Sequence, residues 1–108
     1  MMKTVVIFTI LVSSIILNAT DIKGRISGSN NITKEPYALK DIDIRLYQER
    51  SGEWIKVGKF ITNSNGMYYF KNLESGRYTI QVNGKANYPI EVLNQDSQEL
   101  APIIINYK

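Results

Sequence analysis

Three aromatic residues, Tyr47, Trp54 and Tyr69, and two aspartates, Asp41 and Asp43, are the side chains of this 108-residue chain that could do chemistry at a surface. The chain has no His and no Cys. That removes Ser-His-Asp and Cys-His nucleophilic arrangements, His or thiolate zinc sites and the commonest general base. No catalytic residue, metal or cofactor is therefore expected. Asp41 and Asp43 are two apart, so on a strand they point to the same side. They read as solvated carboxylates at a strand start. A calcium site would also need loop carbonyls, and a glycosidase pair would need a second carboxylate at a set distance that no residue supplies. By alternation Tyr47 and Tyr69 point outward, and Trp54 sits near a strand end. Exposed Trp and Tyr either cover and stiffen a sheet or stack on sugar rings and anchor interfaces. Trp54, Tyr47 and Tyr69 are accordingly the candidate ligand-binding residues.

The elements that must position them are strands. Asp21 to Gly28 alternates, with Ile22 and Ile26 on one face. Ser29 to Lys40 is a polar connection that Tyr37 and Leu39 are expected to tuck back onto the body. Asp41 to Gln48 has period 2, with Ile42, Ile44 and Leu46 inward and Asp43, Arg45 and Tyr47 outward. Glu49 to Glu53 turns around Ser51-Gly52, and Trp54 to Thr62 is an irregular strand with Gly58 as a bulge. Asn65-Gly66 is a hairpin signal of type I′, because both residues tolerate positive φ. Tyr68 and Phe70 then share a face, Ser75-Gly76 turns, and Tyr78, Ile80 and Val82 share a face. Asn83-Gly84 signals another hairpin whose loop extends over Lys85 to Asn87. Tyr88 to Leu93 is a strand that Pro89 assigns to a sheet edge. Asn94 to Glu99 is polar, and Leu100 to Tyr107 is a last strand at a rim or buried on both sides.

Seven short strands with turn signals every ~8–12 residues predict an all-β, seven-stranded antiparallel β-sandwich. Its expected core is Ile22, Ile26, Ile42, Ile44, Leu46, Val57, Tyr68, Phe70, Leu73, Tyr78, Ile80, Val82 and Ile104.

The run Gly66-x-Tyr68-x-Phe70-x-Asn72-Leu73-x-x-Gly76-x-Tyr78-x-Ile80-x-Val82 resembles the signature of the carboxypeptidase regulatory-like domains. These belong to the transthyretin-like (prealbumin-like) β-sandwiches, which also include the Cna protein B-type domains of surface adhesins. Ile22-x-Gly24-x-Ile26 and Ile42-x-Ile44-x-Leu46 are similar to the first two strands of such domains. The resemblance implies a prealbumin-like fold and says little of function, since these domains are accessory parts of many proteins. Some transthyretin-like relatives are hydrolases of the urate pathway, but their catalytic histidines have no counterpart here. Cna B-type domains often carry a Lys–Asn isopeptide bond assisted by a buried acid. The resemblance puts Lys23 and Asn106 at corresponding places. The strand expected to hold the acid has Gln81 and Val82 instead, and Lys23 lies opposite Ile22. The bond is not expected.

Residues 1–19 have the layout of a secretory signal peptide: Lys3, an apolar run from Thr4 to Leu17, then Leu17-Asn18-Ala19. Retention as an anchor is the alternative, although the run is short for a span, which needs roughly 20 apolar residues. Cleavage after Ala19 leaves 89 residues, 20–108, as one domain secreted or periplasmic, with no stable membrane span. Without Cys that domain stands on its core alone. The net charge of +3, or +2 without Lys3, is small and interspersed, which argues against nucleic acid. Asn31-Ile32-Thr33 matches an N-glycosylation acceptor. The reading is an exported, non-catalytic module at the cell envelope or outside the cell. It would bind an envelope or extracellular protein or play a structural part. The alternative is a polysaccharide-binding module using exposed Trp and Tyr.

Overall fold

The computed structural model describes residues 19–29, 32 and 35–106. The expected signal peptide lies outside them except for Ala19, and of the glycosylation acceptor only Ile32 lies within them. The described residues form nine strands: β1 (Thr20–Ser29), β2 (Pro36–Ala38), β3 (Asp43–Arg50), β4 (Glu53–Ile61), β5 (Met67–Leu73), β6 (Gly76–Val82), β7 (Ala86–Val92), β8 (Ser97–Glu99) and β9 (Ile103–Asn106). Seven of them are the expected strands. The three-residue β2 and β8 fall within the two polar connections, where pattern carries no signal.

Two sheets pack as a sandwich. In one, β1 is the spine. It pairs antiparallel with β5 and β2, and β8 and β9 run parallel to it. The other sheet has the order β4-β3-β6-β7, antiparallel throughout. Between them lie Ile22, Ile26, Ile42, Ile44, Leu46, Tyr68, Phe70, Leu73, Tyr78, Ile80 and Val82, joined by Val92 and Ile103. Two expected core residues are outside. Val57 is 37% exposed because β4 bulges there: Leu46 pairs with Gly58 and Tyr47 with Lys56, so Val57 has no partner. Ile104 is 53% exposed and Ile103 takes its place. A run of identical isoleucines has no phase, and a one-residue shift exchanges the faces.

The turns follow local chemistry. Ser51 with Gly52, and Asn83 with Gly84, all have positive φ and make tight hairpins. After the second, Lys85 N–H closes onto Val82 O (3.0 Å), so β7 resumes at Ala86 and not at Tyr88. Asn65-Gly66 is different. Only Gly66 has positive φ there, its N–H donates to Asn63 O (2.9 Å), and Asn63 Oδ1 accepts from Asn65 and Met67 N–H. This turn is not a type I′ hairpin, because it carries the chain from one sheet to the other. Gly66 lies against β1, and its carbonyl accepts from Ile26 N–H (2.8 Å).

The polar connection does fold back. Leu39 packs on the core, and the Tyr37 ring covers Gly28 while remaining half exposed. Two buried threonines hold the ends of the sandwich. Thr62 Oγ1 accepts from Ile42 N–H (2.9 Å) and donates to Leu39 O (2.7 Å). Thr20 Oγ1 donates to Leu93 O (2.7 Å) and accepts from Gln95 N–H (3.3 Å).

Candidate functional site

The outer face of the β4-β3-β6-β7 sheet is built from residues that alternate with the core. On β3, Ile44, Leu46 and Gln48 point inward, which turns Asp43, Arg45, Tyr47 and Glu49 outward. The Ser51-Gly52 hairpin pairs Glu49 with Trp54, so Trp54 shares a face with Tyr47. On β6, Thr79 lies opposite Tyr47 and Gln81 opposite Arg45. Across the next hairpin Asn87 lies opposite Gln81. Tyr47, Trp54, Thr79, Gln81 and Asn87 together line an open concavity of about 440 Å³.

Among the described residues no charged side chain lines this concavity; several charges beside it are paired, while Lys56, opposite Tyr47 on β4, is exposed and outside these pairs. Arg45 Nε lies 3.2 Å from Asp43 Oδ1, and Lys59 Nζ 3.9 Å from Asp43 Oδ2. Arg77 Nη1 lies 3.3 Å from Glu49 Oε1. The hydrogen bond and charge of Asp43 raise the Arg45 pKa further, so the guanidinium stays charged. Gln81 Nε2 donates to Asn87 Oδ1 at 3.4 Å. That bond does not use Gln81 Oε1 or Asn87 Nδ2.

Of the three aromatic candidates, the structure brings Tyr47 and Trp54 together and places Tyr69 elsewhere. Tyr69 is on β5, in the other sheet, with its ring edge-on to Phe60 (centroids 5.7 Å apart, 72°). It borders a separate shallow concavity of about 170 Å³ with Asp21, Lys23, Lys71 and Ser97. Sequence reasoning missed Thr79, Gln81 and Asn87. Alternation turns Thr79 and Gln81 outward, but only strand register puts them beside Tyr47.

The other candidates separate. Asp41 precedes β3 with φ 62°, off the strand, while Asp43 is held by its cations. Among the described residues no three His, Cys, Asp or Glu side chains converge on a metal position. Lys23 is exposed and pairs with Glu99, whereas Asn106 pairs with Ser29. Six residues of strand, roughly 20 Å, lie between them, too far for an isopeptide bond. A third concavity of about 290 Å³, between β7 and the approach to β9, has a mainly apolar lining that includes Tyr68, Tyr88, Pro89 and Leu100.

Pro89 does lie in an edge strand, β7. The far end of that edge is occupied, since the Gln98 amide accepts from Leu93 N–H and donates to Glu91 O, both at 2.9 Å. The opposite edge of the sheet is β4. Among the described residues no strand pairs with its outer side. Trp54, Ile55, Val57 and Ile61 are all exposed along it.

Comparison with known proteins fits this architecture. A search of curated proteins found no match. Among solved structures, the Bacillus anthracis TIE protein aligns with a TM-score of 0.56 at 20% identity, over 83% of this chain and 16% of that one. BcpA, the major pilin subunit of Bacillus cereus, aligns with a TM-score of 0.51 at 14% identity, over 82% of this chain and 29% of that one. An (S)-allantoin synthase aligns with a TM-score of 0.54 at 15% identity, over 91% of this chain and 45% of that one. The chain spans less than half the length of each, and identities this low show a shared fold only. The family model described as SpaA, prealbumin-like fold domain, matches residues 24–99. With the two-sheet sandwich and the Gly66–Val82 signature, that match makes this chain a member of the SpaA prealbumin-like fold domain family.

Proposed function

We propose that the protein is an exported, non-catalytic module with a structural or adhesive role at the cell envelope or outside the cell, and that it binds a protein partner along the edge of β4. The open β4 edge carries this reading. It is nine residues long, and among the described residues no strand pairs with its outer side, which carries exposed apolar side chains. Such an edge is a template for an added strand: main-chain hydrogen bonds supply affinity and side-chain contacts supply selectivity. Lys56, Lys59 and the bulge at Val57 are the features that keep a free edge from indiscriminate pairing. Membership of a family with structural relatives such as a pilin subunit supports a structural or adhesive role. The lack of His and Cys supports a non-catalytic one, and the layout of residues 1–19 supports export.

The test is capture from an envelope extract on immobilised protein, with Lys56→Pro as a parallel bait. In the two-residue hairpin Arg50 and Glu53 exchange ladder bonds, so alternation turns the Lys56 N–H outward. Proline there deletes an edge donor while sparing the bonds to β3. A dominant protein held by the native bait and lost with Lys56→Pro supports the reading. A protein held equally by both baits, or none held by either, counts against it.

A further inference from the structure

We propose that the concavity formed by Tyr47 and Trp54 is a binding site for a neutral oligosaccharide. The inference shares Trp54 with the β4-edge reading but goes beyond it, because Tyr47, Thr79, Gln81 and Asn87 lie on the outer face of β3, β6 and β7. Three observations lead to it.

The first is composition. The lining has two aromatic rings, one hydroxyl and two carboxamides. A pyranose has an apolar C–H face and a rim of hydroxyls that both donate and accept. Tyr and Trp supply flat apolar area at low conformational cost. Gln81 Oε1 and Asn87 Nδ2, which the Gln81–Asn87 hydrogen bond does not use, offer an acceptor and a donor to neighbouring hydroxyls.

The second is charge. The lining itself carries no charge, and most charges next to it are committed to one another, as Asp43 with Arg45 and Lys59, and Glu49 with Arg77, with Lys56 beside Tyr47 left outside these pairs. A charged ligand would find no spare counter-charge in the lining, so the site favours a neutral one.

The third is shape and rigidity. The five residues stand on β3, β4, β6 and β7, none on a loop. Four adjacent strands at ~4.8 Å spacing spread the site over roughly 14 Å, longer than a single sugar ring. Its volume of about 440 Å³ lies within the usual range for ligand sites. An open, strand-built surface suits the interior of a polysaccharide chain, and its side chains are positioned before the ligand arrives.

Trp54 is the sole tryptophan of the chain, so intrinsic tryptophan emission reports on this site alone. Purified protein is titrated with hexasaccharides of glucose (α- and β-linked), xylose, mannose and N-acetylglucosamine, and with heparin as the charged probe. Expected is a saturable emission change with at least one neutral hexasaccharide, unchanged by added salt. It should weaken about tenfold in Gln81→Ala and in Tyr47→Ala and stay intact in Tyr69→Ala, which lies on the other sheet. Asn87→Ala, on the outermost strand, is the second polar variant should Gln81→Ala fail to fold. The proposal is overturned if no neutral hexasaccharide changes the emission at millimolar concentration. It is equally overturned if the response survives the lining variants, or if only heparin responds and salt abolishes it.

Discussion

Tyr68 is fully buried, and its ring lies across Gly24 on β1. Burial pushes its phenol up to about 12 from an ordinary 10.0. A proton held more tightly in the folded than in the unfolded chain stabilises the fold below the unfolded pKa, and that contribution is lost as pH rises through the folded one. Stability to urea should therefore hold to about pH 9 and fall between about pH 10 and 12, with Tyr68→Phe, which cannot ionise, falling less over that window. Tyr78 is also raised, first by burial and then by Glu74, so some alkaline loss remains in that variant. If Tyr68→Phe and the native protein decline in parallel, the phenol is not the cause. Two of the turn glycines have equally local reasons. At Gly66, φ is 73° and a Cβ would stand 2.5 Å from Ile26 O, a backbone atom that cannot swing aside. At Gly52, φ is 82° but nothing lies within 4 Å. Gly52→Ala should then cost only the backbone term, about 1 kcal/mol, and Gly66→Ala about 1–3 kcal/mol more for overpacking. Urea midpoints of the two variants test that order.

At the scale of elements, strands hold together through bonds that hydrophobic pattern does not record. Thr62 Oγ1 joins Leu39 O to Ile42 N, at the entry to β3. Thr62→Val keeps the shape and leaves both backbone groups without that partner, which should cost about 1–3 kcal/mol in urea unfolding. Gln98 joins β8 to the end of β7 through bonds that are exposed. Gln98→Ala should leave the midpoint nearly unchanged and speed hydrogen exchange at the Leu93 amide, because water replaces the lost acceptor. An unchanged exchange rate would show that the Gln98 bond does not protect β7. Much of this architecture was legible in the sequence. Ile42-x-Ile44-x-Leu46 and Tyr78-x-Ile80-x-Val82 alternate cleanly, and one buried face fixes their phase. Three consecutive isoleucines carry no phase, hence Ile103 in place of Ile104. Asn65-Gly66 encodes a turn but not which sheet the chain enters next, since the close approach of Gly66 to Ile26 is a contact across 40 positions. The surface concavity was half legible for the same reason: Tyr47 and Trp54 are joined by one short hairpin, while Thr79, Gln81 and Asn87 arrive through the register of two further strands.

For the whole molecule, the decisive fact is how much depends on β1. It pairs with four other described strands, and its residues 20–25 hold β5 while 21–23 hold β8. Thr20, its first residue, is already buried and bonded to Leu93 and Gln95. The cleavage point expected after Ala19 lies directly before this residue, so a chain beginning at Thr20 keeps all nine described strands whole. A chain starting at Thr20 should fold with a single cooperative transition. A chain starting at Gly24 loses the Thr20 links, the three-residue pairing with β8 and the Ile22 side chain, which is 2% exposed in the core. Loss of Ile22 alone is worth about 2–5 kcal/mol by analogy with large-to-small core changes. A small domain has only about 5–15 kcal/mol of net stability, and this one has no disulfide to limit the unfolded chain. The longer deletion should therefore leave the chain unfolded at room temperature. Circular dichroism of the two chains, heated side by side, decides the matter. A cooperative melt from the Gly24 start would mean that Gly24–Ser29 suffices as the spine and that the Thr20 links and the pairing with β8 are dispensable.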